Sequence, residues 1–256
     1  SDVCSSDLNS MCNFFPNPDL RYLLIVWVSM ALLAGCRSFE PPPEVPAEPE
    51  QLGKTYPASL TPSGVSGDLY EVDALASRAV IIVRRAGPLA RFGHDHVILA
   101  DKIEGRIAWH SERPGDSLAQ LRVDVRSLKV DPLEVRTEFN LDTRPDDDAV
   151  SGTRTNLFEH VLDSERWPEV VIRVDAEEES GRPSERIAEI MINGQSRRSP
   201  VPIAMDLRNQ SLETRGQFSI LQTDWGIEPF SILGGGLRVE DELTIHFRLI
   251  ARKFAD

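Results

Sequence analysis

Leu243-Thr244-Ile245-His246-Phe247-Arg248-Leu249-Ile250-Ala251-Arg252 decides the fold. Leucine, isoleucine, phenylalanine, leucine and alanine occupy every second position, with Thr244, His246, Arg248 and Arg252 between them and Ile250 the one apolar residue on the polar side. A period of two is the mark of a β-strand with one buried face. Upstream, Leu121, Val123 and Val125 alternate in the same way with Arg122, Asp124 and Arg126. Similar runs occur at 69–72, 80–84, 103–109, 170–176, 188–192, 201–207 and 212–220, giving about nine strand candidates. Turn signals part them at Pro114-Gly115, Gly181-Arg182-Pro183 and Asn193-Gly194.

One segment departs from this pattern. Leu157, Phe158, Val161 and Leu162 share one face of a helix, which the sequence starts near Ser151 or Thr153 and must end before Pro168. Strands buried on a single face must close on themselves or stack on a second sheet, because an open sheet leaves edges for aggregation. The expectation is a mainly β protein: an antiparallel, lipocalin-like β-barrel of about eight strands with one or two short helices. Its outward faces should be charged and its inward faces apolar.

The chain has 256 residues with 28 basic and 41 acidic side chains, a formal charge of −13. Such a surface repels nucleic acid phosphates, so nucleic acid is excluded as a partner. Its three cysteines are Cys4, Cys12 and Cys36, so everything after residue 36 lacks thiols for a disulfide or a cysteine metal site.

The N-terminal part reads as an address. Residues 1–10 are set aside as an artefact or upstream misread, and Met11 opens a signal segment, 11–36, with Arg21 followed by an apolar run from Tyr22 to Ala34. That run, about 13 residues, is short of a membrane-spanning helix. It ends in Leu33-Ala34-Gly35-Cys36, which resembles the lipobox of bacterial lipoproteins and implies a lipidated Cys36 as the mature N-terminus. Arg37 stands where an aspartate would favour inner-membrane retention. The resemblance therefore implies anchoring in the outer membrane on its periplasmic side. Residues 37–67, rich in proline and glutamate, read as a tether that at about 3.1 Å per residue extends on the order of 90 Å. The barrel domain is placed at 68–256.

The order of short motifs in that domain resembles the YceI-like family of polyisoprenoid-binding periplasmic proteins with a lipocalin-like barrel. The motifs are Tyr70-Glu71-Val72-Asp73, Gly93-His94-Asp95-His96-Val97, Gly105-Arg106-Ile107, Asn156-Leu157-Phe158 and Trp167-Pro168-Glu169-Val170. Ile192-Asn193-Gly194, Gly216-Gln217-Phe218-Ser219-Ile220 and Asp224-Trp225-Gly226-Ile227 continue the series. This resemblance implies a hydrophobic tunnel for a long apolar small molecule, an isoprenoid or quinone-like lipid, with a polar mouth and no catalysis.

On that reading Val123, Val125, Ile203, Met205, Phe218, Ile220, Phe247 and Leu249 are the lining candidates; in a solid barrel the same residues would fill the core. His94 and His96, two apart on an extended segment, are candidates for the polar mouth. A metal at this pair is the alternative, yet two imidazoles fall short of the three or four ligands that zinc takes. His110, His160 and His246 read as solvent-facing. No serine sits on a strand-to-helix elbow and Gly234-Gly235-Gly236 lacks the lysine of a phosphate loop, so neither a hydrolase nor a nucleotide site is expected. Three readings follow: a lipid-anchored carrier of an apolar molecule, a metal-binding protein or metalloenzyme at His94/His96, and an envelope interaction module with a solid core.

Overall fold

The computed structural model describes residues 60–61, 66–176 and 185–254. Residues 1–36 with Cys36, the tether apart from Leu60, Thr61, Ser66 and Gly67, and the Gly181-Arg182-Pro183 turn lie outside the described residues.

The strands are β1 (Asp68–Val72), β2 (Arg78–Ala86), β3 (His96–Ala100), β4 (Ile103–Trp109), β5 (Leu118–Asp124), β6 (Lys129–Val130) and β7 (Glu169–Val174), then β8 (Glu185–Ile192), β9 (Gln195–Pro202), β10 (Ala204–Arg208), β11 (Ser211–Leu221), β12 (Ser231–Ile232) and β13 (Leu237–Lys253). They form one sheet with the neighbour order β6-β3-β2-β13-β1-β4-β5-β7-β8-β9, while β11 pairs with β10 and with the other edge of β13. Only Ile203 separates β9 from β10. Following neighbours from β13 through β1, β4, β5, β7, β8, the β9–β10 run and β11 therefore leads back to β13. All pairings are antiparallel, and the fold is the expected mainly β, lipocalin-type architecture.

Among the described residues there are thirteen strands rather than about eight: β6 and β12 are two-residue ladders, one bent run is split at Ile203, and β2 and β3 pair on from β13 beyond the circuit. Leu243 to Arg252 lie in β13, whose 17 residues pair with β11 along one edge and with β2 and then β1 along the other. A register shift between Val239 and Leu243 bends it away from β2's straight course.

Two helices interrupt the strands, α1 (Leu133–Glu138) and α2 (Asp147–Thr155), and α2 runs into a π-helical turn, Asn156–Val161. The helix thus begins before Ser151, since the Asp146 carboxylate caps it by accepting the Ala149 N–H at 2.8 Å. In the π turn the Leu162 N–H donates to Leu157 O, five residues back, at 2.9 Å. Leu157, Phe158 and Leu162 pack against Ile98, Ile103, Val123 and Leu249, and Val161 packs on the neighbouring cluster around Trp225 and Ile190. One end of the interior is thereby stoppered.

The expectation of charged outward faces fails on β2 and β3. Val80, Ile82, Val97 and Leu99 point away from the interior, yet all are buried with Val135 of α1 and with Phe139 and Leu141. Because α1 covers this wall, its strands are buried on both faces. Within the stretch read as tether, Leu60 is 2 % exposed and packs on Leu69 and Ala108.

Candidate functional site

Inward side chains of β4, β5, β7, β8, β10, β11 and β13 surround a cavity of about 180 Å³. Its wall is built by the period of two: Ile103 and Ile107 from β4, Leu121 and Val123 from β5, Ile172 and Val174 from β7, Ala188 and Ile190 from β8, and Ile245, Phe247 and Leu249 from β13. Two inward positions hold glycine. A Cβ on Gly105 would stand 2.6 Å from Gln120 O, and one on Gly216 would stand 2.1 Å from Pro202 O and 2.8 Å from the Phe247 ring. Both strands therefore need glycine where backbone or ring approaches.

Of the lining candidates, Val123, Ile203, Met205, Phe218, Phe247 and Leu249 stand in the cavity wall. Val125 and Ile220 lie beyond it. β5 ends at Asp124, the Val125 N–H donates to Pro168 O at 2.8 Å, and the chain turns, so alternation does not carry Val125 onto the wall. It is buried beneath the helical stopper with Leu128 and Ile98. Ile220 keeps the inward phase but sits past the cavity, packed on Trp225 and Ile227, where the Trp225 indole donates to Ile190 O at 2.9 Å. Phe218 and Phe247 meet edge to face with ring centres 6.3 Å apart.

The polar groups of the wall gather at the end opposite the stopper. The Arg186 guanidinium donates to Pro114 O at 2.6 Å, Gly115 O at 3.2 Å, and Ser117 O and Asp175 O at 2.9 Å, tying two connections across that end. Beside it, the Trp109 indole nitrogen is buried without a hydrogen-bond partner. That N–H is a donor available to a polar atom of a bound molecule. Alternation puts Trp109 on the apolar face; Ser117 and Arg186 carry no signal in the sequence, because each sits at a strand margin among ordinary polar residues.

His94 and His96 have a different setting. His96 Nδ1 lies 2.6 Å from Asp131 Oδ2, whose other oxygen accepts the Val97 N–H at 3.0 Å and also bonds Arg136. Arg136, 3 % exposed, donates further to Asp95 O at 2.7 Å and to Thr143 O and Oγ1. Burial alone would raise the Asp131 carboxyl; His96, the Val97 amide and Arg136 outweigh it and hold it below the ordinary aspartate value. His94 stands edge-on to His96 at 6.3 Å, its Nδ1 buried without a hydrogen-bond partner. Among the described residues no group of three or more His, Cys, Asp and Glu side chains is gathered to hold a metal.

His246 is half-buried rather than fully open to solvent as its register suggested. Phe139 covers it at 4.9 Å between ring centres, and burial lowers its pKa against the opposing charge of Glu138. His160 is exposed, and His110 hydrogen-bonds Ser66 Oγ at 2.9 Å.

The profile of the family described as the YceI-like domain matches residues 70–251. Among solved structures, BcnA of Burkholderia cenocepacia superposes with a TM-score of 0.52 at 14 % identity, over 70 % of this chain and 98 % of that one. A polyisoprenoid binding domain from Saccharophagus degradans, implicated in plant cell wall breakdown, gives a TM-score of 0.47 at 12 % identity, over 72 % and 98 %. The likeness to BcnA is one of fold. No curated protein matches the sequence.

Proposed function

Because the chain belongs to the YceI-like family, we propose that it is a binding protein rather than an enzyme, one that holds a long apolar, isoprenoid-like molecule inside its β-barrel. The observation that carries this reading is the cavity, walled almost wholly by aliphatic and aromatic side chains. A solid-core interaction module would have no such void, and the imidazole pair of the metal reading is engaged on one side by Asp131.

At roughly 10–15 Å³ for each water-sized group, the cavity takes on the order of a dozen atoms in file. A short stretch of chain fits as the walls stand, and a longer one requires the Phe218 and Phe247 rings to turn aside. Several hundred Å² of buried tail would stabilise by about 10 kcal/mol at ~25 cal/mol per Å², before ordering costs are subtracted. Micromolar binding is within that range.

The lipobox-like Leu33-Ala34-Gly35-Cys36 and the tether after it supply the rest of the proposal, a lipid anchor at the periplasmic face of the outer membrane. Labelled palmitate should enter the wild-type protein and not Cys36→Ser, and its absence from both would remove the anchor. For the ligand, the delipidated protein should gain thermal stability with a quinone, a polyprenyl phosphate or a long-chain fatty acid. No gain with any of them, together with no lipid in organic extracts of the purified protein, would sink the binding reading.

A further inference from the structure

The wall of the barrel is not hydrogen-bonded all the way round. The ladder between β10 and β11 runs from Arg208↔Ser211 to Ala204↔Arg215 and stops there, and β9 pairs with β8 alone among the described residues. From Gly216 to Leu221, β11 therefore lies beside β9 with no ladder between them.

The sequence explains this seam. A strand residue directs its N–H and C=O to the same edge, and residues two apart share that edge. Pro202 O points at Gly216, so the β11-facing edge of β9 is the one on which Pro202 and Pro200 sit. Neither has an N–H to give. Side chains alone hold β9 against this half of β11.

A second void lies outside the same place, an open groove of about 620 Å³. It shares Ile203 and Phe247 with the cavity wall, and its outer side carries three basic or imidazole groups, Arg215, His246 and Arg248, with Gln217 and the one carboxylate of Glu213. One layer of two side chains separates interior from solvent there. The π-helical turn packs over one end of the barrel, and the Arg186 ties cross the other. Arg215 stands directly opposite Arg248 across the ladder, and Arg248 is engaged by Glu213 at 2.9 Å.

We propose that the ligand passes sideways through the β9–β11 seam at Ile203 and Phe247, and that it is a long apolar chain ending in a negatively charged group, which rests in the outer groove at Arg215. The proposal rests on the binding function above and adds its route and the chemistry of its polar end. Parting the seam breaks packing and no ladder, so it is the least costly opening in the wall. A chain lying through it keeps its charged end in water, where the Arg215 guanidinium can meet it.

The test uses cis-parinaric acid, a fluorescent long-chain carboxylate, and the corresponding fatty alcohol, in stopped-flow binding to the full chain. Ile203→Trp should slow association and release of both probes by about tenfold, with the dissociation constant also changed because Ile203 lines the cavity. Pro200→Ala with Pro202→Ala adds two donors without bulk and should slow both rates in the same sense, which keeps the test open if the tryptophan variant does not fold. Arg215→Glu should weaken the carboxylate by about tenfold and leave the alcohol unchanged. Rates in the proline variant indistinguishable from wild type, or equal weakening of both probes by Arg215→Glu, would overturn the proposal with binding itself intact. Failure of the wild-type protein to bind either probe would instead strike at the binding function.

Discussion

The wall formed by β2 and β3 and the wall formed by β9 and β11 are parts of one sheet, yet they are built on opposite plans. The first is buried on both faces. Its inward residues Ile81 and Ile98 join the main core, its outward residues Val80, Ile82, Val97 and Leu99 join Val135 and Phe139, and the Asp131–Arg136–His96 cluster pins α1 in place. The second is a single layer with a charged outer surface, two prolines on its inner seam and a groove against its outside. The difference teaches where a binding barrel spends its stability. Cooperative packing backs the side that does not have to move, and a weakly joined seam is left where a guest must pass.

The largest test of this contrast is Arg136→Met. It leaves the fully buried Asp131 carboxylate without its guanidinium, and removing one partner of a buried pair costs roughly 3–5 kcal/mol. Urea unfolding would measure it. A loss of less than ~1 kcal/mol would mean that the backed wall is no firmer than the seam.

Acid should reveal the same cluster. Asp131 has its folded pKa below the unfolded value, so its contribution to stability is complete above the ordinary aspartate pKa and disappears as pH falls through the lower, folded value. In that window the unfolded chain binds the extra proton. Asp131→Asn should be less stable than wild type at neutral pH, and the gap should narrow on acidification. A gap that stays constant across this range would show that the carboxylate does not carry the interaction.

Val135→Ala removes two methyl groups from the layer over Val97 and Val80 and should cost about 1–3 kcal/mol. Gln217→Ala, on the exposed outer face of the seam wall, should change stability by less than ~0.5 kcal/mol. Equal costs at the two positions would break the contrast. Calorimetry of both variants under the same conditions decides it.

Much of this arrangement was legible in the sequence, and the reasons for the gaps are physical. The alternation in β13 and β5 announces one-sided strands, and the same period places six of the eight named lining candidates in the cavity wall. It misleads at Val125, because periodicity does not say where a strand ends, and at Ile220, because it does not say where a void ends. The two-sided burial of β2 and β3 had a signal in the unbroken runs Ala79-Val80-Ile81-Ile82-Val83 and Val97-Ile98-Leu99-Ala100, since a strand covered on both faces has no reason to alternate. α1 gave none: six residues with Val135 as their buried apolar side chain are too short for a stripe. Asp131 was one acid among 41, and only the fold brings Arg136 and His96 to it.

The π-helical turn at Asn156–Val161 bears on how barrels of this kind differ in capacity. Such a turn contains one residue more than a regular α turn, and by bonding Leu162 to Leu157 it spreads four apolar side chains over a wider, flatter face. A relative one residue shorter between Gly152 and Pro168 would carry an ordinary helix in this place, with a narrower face, and would close its barrel less fully. The length of this connection, as much as the side chains of the wall, then sets how fully this end of the interior is covered.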